Sequence, residues 1–240
     1  MSGEADVKAA ATAGYDVGDR RLHWYAPKHG VNRPLQHLGT HLLNVTLRPR
    51  FGFEVAGREH LAGPGGVLLV TNHLADVDMP FLAAAVAPRE LMYVSATKNF
   101  VSPPLGYLIS ALGAFPLHTD RPDPDGLRHT RAQLEAGRTV SIFPEGYPTF
   151  GPELAPFARG AGMLGLTPGI RVVPGALWGT HRVMRTGLPI GSGRVRVAFG
   201  PPVDVPASGS RRARADALTD ACFASVSDLL ARLVAMDPDG

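Results

Sequence analysis

The sequence predicts a single α/β domain, its sheet mixed but mostly parallel and flanked by helices. Three observations carry that expectation. Short apolar runs alternate with segments of helical period, the pattern of strand–helix–strand units. Gly (28 residues) and Pro (22) are abundant, which suits many tight turns between short elements. At 240 residues, 45% hydrophobic and 19% charged, the chain has the length and balance for one well-formed core.

The elements follow in order. Residues 1 to about 30 read as a loosely ordered arm. From Pro34 to Leu47, Leu35, Leu38, Leu42, Leu43 and Val45 fall near helical spacing, which predicts an amphipathic helix. The boundary is therefore set at 1–48 for an N-terminal arm and amphipathic helix, and 49–240 for the α/β domain. VLLVT (67–71) predicts a buried strand, followed by a helix near Pro80–Ala87. Further strands are expected at 91–95, 114–117, 139–143, 170–177 and 194–199. Helices are expected at 125–136, ending at Gly137 as a C-terminal glycine should, and at 157–166. The last helix, 211–234, carries Leu218, Cys222, Val226, Leu229, Leu230 and Leu233 on one stripe, so Cys222 reads as core.

A net charge of +3 makes no case for nucleic acid. The distribution is more informative: from Arg20 to Arg50 there are six Lys or Arg and no Asp or Glu, with Trp24 and Tyr25 beside the first pair. Such a stretch suits an anionic membrane surface, or equally a solvated arm on its own domain. The following helix could pack on the core or lie in a membrane interface. The N-terminus lacks the apolar stretch of a signal peptide, and no run approaches the roughly 20 apolar residues of a spanning helix. With Cys222 as the lone cysteine, a reducing compartment is expected. His37 and His41 are four apart, but without an evident third ligand they read as a polar helix face rather than a metal site.

Two motifs bear chemistry. In TNHLADVD, His73 precedes Asp78 by five residues. That spacing alone decides nothing, since His118 and Asp123 share it. His73, however, directly follows an apolar strand, where α/β sheets present reactive groups. On a continuous helix the two side chains would lie about 140° apart. Pro80 suits a first helical turn, so the helix is expected to start near Asp78 and leave 74–77 free to turn. The carboxylate could then orient the imidazole as a general base; the bland alternative is a histidine and a capping aspartate that happen to lie close. In SIFPEGYP (141–148), Glu145 could bind an acceptor's hydroxyls, hold a neighbouring backbone or be a solvated turn residue. Gly146 is expected to leave N–H groups open to an anion.

Four blocks in order resemble the glycerolipid acyltransferase family that includes lysophosphatidate acyltransferases: Asn72-His73 with Asp78, GAFPLHTDR ending in Arg121, Phe143-Pro144-Glu145-Gly146, and Val172-Val173-Pro174-Gly175. TKNFVSPPLGY, with Lys98, and PFARGA, with Arg159, resemble further family segments, and the likeness spans roughly residues 50–205. The resemblance implies transfer of a fatty acyl group from acyl-CoA or acyl-carrier protein, as co-substrate rather than cofactor, to a glycerolipid hydroxyl such as that of lysophosphatidate. It implies His73 as the base, Asp78 as its orienter, and a substrate site of Asn72, Lys98, Arg121, Glu145, Gly146 and Arg159. It requires no metal, and places the enzyme in the cytoplasm at the inner face of a membrane. A non-phosphate lipid acceptor, a thioesterase or a lipid-binding protein of the same fold are the alternatives. The chain departs from the family at Ala75, where serine is usual, and at Tyr147-Pro148-Thr149 in place of Thr-Arg-Ser. The second block is about two residues longer, with His118 and Asp120 nearby.

Overall fold

The computed structural model describes residues 32–100, 102–118, 123–183, 191 and 193–237. The expected arm over 1–30 lies outside them. Seven strands form one sheet: β1 (Glu54–Ala56), β2 (Val67–Thr71), β3 (Leu91–Ala96), β4 (Ala114–Leu117), β5 (Thr139–Ile142), β6 (Arg171–Trp178) and β7 (Arg196–Phe199). Their spatial order is β1-β7-β6-β2-β5-β3-β4. The five strands from β6 to β4 run parallel; β7 is antiparallel to β6 and pairs in parallel with β1. The mixed, mostly parallel sheet expected from the sequence is therefore present.

β2 explains the register. All five of its residues are buried, as befits a central strand covered on both faces. Val67 and Leu69 join one apolar cluster, and Leu68 and Val70 the other. On the first side lie α1 (Arg33–Phe51) and α2 (Asp78–Val86). Beyond β3 comes α3 (Pro103–Ala111), and the second side is covered by α4 (Pro124–Glu135) and α5 (Gly160–Gly165). After a short turn, α6 (Thr180–Val183), the chain closes with α7 (Arg211–Ala235) along β6. α7 serves both clusters: Leu218 and Cys222 enter one, Leu230 and Leu233 the other. Cys222 is fully buried, and burial raises its thiol pKa to about 12.

The structure departs from the sequence reading in several places, including two helices and the unexpected β1. α1 runs to Phe51, past the expected end at Leu47, and carries Pro49 within it. Asn32 caps its start, accepting from Leu35 N–H, and Gly52 closes it in the left-handed conformation glycine tolerates. Phe51 and Phe53 meet Phe81 of α2 edge-on at 5.8 and 5.3 Å. This aromatic clamp places the end of α1 in the core, so the boundary at 48/49 falls inside a helix that belongs to the domain. The second difference is α3, which the sequence reading left unassigned; prolines open its first turn. Among the described residues no helix is long and apolar enough to cross a membrane.

α5 and α7 touch through glycine. A methyl group at Gly162 would overlap the Ala215 carbonyl oxygen and crowd the Thr219 hydroxyl. Gly162→Ala is therefore expected to cost about 1–3 kcal/mol or more, measured as a lowered urea midpoint with an unchanged denaturant slope.

Candidate active site

The parallel strands β2, β5, β3 and β4 all deliver their carboxyl ends to one edge of the sheet, where α/β folds place reactive groups. β2 ends at Thr71 and is extended by a side chain. Asn72, fully buried, donates to the Leu177 carbonyl (3.1 Å) and accepts from the Leu177 N–H (2.8 Å) of β6. It thus acts as an added rung between two central strands. Both ends of its amide are engaged with β6, and none of it reaches solvent.

His73 follows, and it is held on every side but one. Its Nδ1 lies 2.8 Å from Asp78 Oδ2. A carboxylate only accepts, so Nδ1 carries a proton, and in the neutral imidazole Nε2 keeps its lone pair. The ring stacks on Phe143 at 4.2 Å with 7° between planes. The backbone N–H donates to Glu145 Oε1 at 2.6 Å. The carbonyl accepts from Thr149 twice, from its N–H at 2.9 Å and its hydroxyl at 3.1 Å. The side chain is 15% exposed and that of Asp78 0%. As expected, 74–77 turn rather than continue a helix: Asp78 N–H bonds the Ala75 carbonyl at 3.0 Å. Asp78 Oδ2 also accepts from the N–H groups of Leu74 (2.7 Å) and Ala75 (3.1 Å). One oxygen therefore orients the imidazole and closes the turn that brings it there.

The second motif supplies the other wall. β5 ends at Ile142, and Phe143-Pro144-Glu145-Gly146 turns sharply, with φ +80° at Gly146. Gly146 N–H donates to the Phe143 carbonyl (3.1 Å), so that N–H is engaged within the turn. Glu145 is nearly buried. Its two oxygens accept from backbone N–H groups, Oε1 from His73 and Oε2 from Ala155 (2.8 Å). Of the three readings of Glu145, holding a neighbouring backbone is the one its contacts describe. Burial pushes its carboxyl above the ordinary range, while the N–H groups of Ala155 and His73 pull the other way.

The remaining candidates separate. Lys98 is exposed in the 3-10 turn (Thr97–Phe100) after β3, at the same sheet edge. Arg121 lies outside the described residues. Arg159, at the start of α5, is half-exposed and paired with Asp216 of α7 in a surface ion pair. The second His-Asp spacing is a helix cap: Asp123 accepts from the backbone N–H of His118 (3.0 Å) and of Gly126 (2.9 Å). His37 and His41 form no metal cluster; no group of three or more metal-binding side chains occurs among the described residues. Sequence reasoning did not find Phe143 as a stacking partner or Thr149 as a carbonyl clamp. The only signal for Thr149 was a hydroxyl residue where the resembling family has serine. His181 was also missed. Burial, then Arg182, lower its pKa, while Asp78 and Asp237 act to raise it.

A family model described as Acyltransferase matches residues 52–178. The chain is 30% identical over 167 residues to a chloroplastic 1-acyl-sn-glycerol-3-phosphate acyltransferase of Brassica napus, covering 67% of this chain and 47% of that protein. It is equally similar to one of Arabidopsis thaliana, covering 67% and 46%. The chain thus spans about half the length of these curated relatives. Among solved structures, the 1-acyl-sn-glycerophosphate acyltransferase of Thermotoga maritima shares the fold, with a TM-score of 0.63 at 22% identity over 82% of this chain and 79% of that one.

The Glu145 clamp is testable by an isosteric change. In Glu145→Gln the amide NH₂ must face one of the two backbone N–H donors, leaving it unpaired. The expected loss is about 1–3 kcal/mol, read from urea unfolding. Thr149→Val, which keeps the backbone bond and loses only the hydroxyl, is expected to lose about 1 kcal/mol.

Proposed function

Because the chain belongs to the acyltransferase family, we propose that it moves a fatty acyl group from a thioester to a glycerolipid hydroxyl, lysophosphatidate being the first candidate acceptor. One observation carries this reading: His73 is fixed through Nδ1, ring face and backbone, and only Nε2 is left to meet a substrate. The named activity of the plant relatives supports the acceptor class.

On this reading the acceptor hydroxyl donates its hydrogen bond to Nε2. As the hydroxyl oxygen bonds to the thioester carbonyl carbon, the proton passes to Nε2 and the carbonyl oxygen takes the charge. Collapse breaks the carbon–sulfur bond, and the imidazolium returns its proton to the departing thiolate. Asp78 stabilises the transient imidazolium and holds the tautomer. Glu145 and Thr149 act through His73, fixing its backbone so that Nε2 points one way; they are positioning residues. A base held so tightly needs no reorganisation as charge develops. Lys98 and Arg121 are left to meet the acceptor phosphate, Arg121 by the role the resemblance gives it. Acyl-CoA and acyl-carrier protein serve this chemistry equally.

Exposed Leu38, Leu42 and Val45 on α1 and Leu105, Tyr107 and Leu108 on α3 supply an apolar face for a peripheral membrane contact. The two helices are tied together by Asn32 N–H to the Ala111 carbonyl (3.3 Å) and Gln36 Nε2 to the Leu112 carbonyl (2.9 Å). Such a face would bring the enzyme to lipid acceptors without a spanning helix.

The test is a thioester donor supplied with and without lysophosphatidate, reading free thiol and lipid product together. Wild-type protein is expected to release thiol in step with lipid product. His73→Ala is expected to lose about 10²–10⁴-fold in turnover while remaining folded. Acceptor-independent release of free acid would instead identify a hydrolase, and full activity in a folded His73→Ala variant would remove the base from the mechanism.

A further inference from the structure

A second site lies at the far end of α2 from Asp78. α2 has nine residues, so its two ends are about 13 Å apart. There α1, the turn before β2 and the Ala87-Pro88 segment enclose an open groove of about 660 Å³. Its polar lining is uniformly basic or neutral: His37, Thr40, His41, Asn44 and Arg48 from α1, and Arg58 from the turn Arg58–Leu61. No carboxylate lines it.

The periodicity of α1 builds this arrangement. Residues 37, 41, 44 and 48 fall on one stripe. The exposed apolar residues 38, 42 and 45 form a second stripe, about 100° around the helix. Gln36, Leu43 and Leu47 face the core side. The basic stripe therefore lies between the packed face and the exposed apolar face. Asn44 anchors it to α2 by donating to the Ala84 carbonyl at 3.2 Å.

Two guanidiniums line the groove. Arg58 donates once, to the Ala84 carbonyl at 3.2 Å, and its buried Nε has no hydrogen-bond partner. Arg48 is exposed, and among the described residues neither arginine has a carboxylate partner. Burial, then the charge of Arg48, lower the pKa of Arg58. Like charges drawn together at a half-buried position, with a donor unpaired, form an arrangement that a bound oxyanion relieves. Arginine forks suit phosphate in particular.

We propose that this groove binds a phosphate group, with Arg48 and Arg58 as the clamp and His37 and His41 as flanking donors. The adjoining apolar stripe and the uncompensated positive charge favour the headgroup of an anionic phospholipid as its source, and free phosphate shares the same chemistry. The proposal does not rest on the acyl-transfer reading, because none of these residues belongs to the His73 edge.

Full-length protein is mixed with vesicles of phosphatidylcholine alone or with added phosphatidylglycerol, and separately titrated with inorganic phosphate. Wild-type protein is expected to prefer the anionic vesicles. Arg48→Gln should weaken that preference about fivefold, and Arg48→Gln with Arg58→Gln about thirtyfold. Binding to phosphatidylcholine alone should change little. A control removing the same charge elsewhere, Arg211→Gln with Arg212→Gln on α7, should keep most of the preference. Loss of inorganic phosphate binding in the groove variants, with vesicle binding intact, would support the site with free phosphate as its ligand. The proposal is overturned if the groove variants match wild type in both arms, or if the α7 control loses as much as they do. Arg48 is exposed and partnerless among the described residues, so the single variant keeps the test decisive should Arg58→Gln impair folding.

Discussion

One buried oxygen organises the candidate active site. Oδ2 of Asp78 accepts from His73 Nδ1 and from the N–H groups of Leu74 and Ala75. These bonds join a conformational task to a chemical one. The two backbone bonds close the turn between β2 and α2, and the side-chain bond uses the resulting geometry to set the imidazole tautomer. Loss of the carboxylate would release both together, leaving two buried N–H groups unpaired in addition to a freed histidine. The other contacts to His73 come from the chain after β5: Glu145 on its N–H, Thr149 on its carbonyl and Phe143 on its ring.

The sheet makes this convergence possible. β2 and β5 are hydrogen-bonded neighbours running parallel, so the residues after each strand emerge side by side although 72 positions separate His73 from Glu145. Asn72 reinforces the arrangement by bridging to β6 on the other side of β2. The motif's asparagine thereby holds the end of a strand. Groups held this firmly need little reorganisation when charge develops beside them.

Much of the fold was legible in the sequence because its signals are local. The buried run VLLVT, the glycine after α4 and the stripe on α7 each name their own element. α1 was cut short because proline reads as a helix stop, whereas Phe51, held by Phe81, carries the helix through Pro49. α3 was missed because the prolines at its start read as turn. At the site, the position of His73 after an apolar strand was informative and its spacing to Asp78 was not. Asp123 stands at the same distance from His118 and caps a helix through backbone N–H groups. The roles of Asn72, Glu145 and Gly146 depend on partners distant in sequence or on turn geometry, which residue type and order do not specify. Arg159 likewise finds Asp216, 57 residues away.

The claim that most needs testing is that His73 presents an unprotonated Nε2 to its substrate. Imidazole nitrogen NMR of isotopically labelled protein near neutral pH reads the tautomer directly, with the His73 signal assigned by its loss in His73→Gln. In the neutral ring the geometry requires a proton on Nδ1, shared toward Asp78, and a bare Nε2. A proton resident on Nε2 in the neutral ring would contradict it, because a nitrogen that already carries a proton cannot take one from an acceptor hydroxyl.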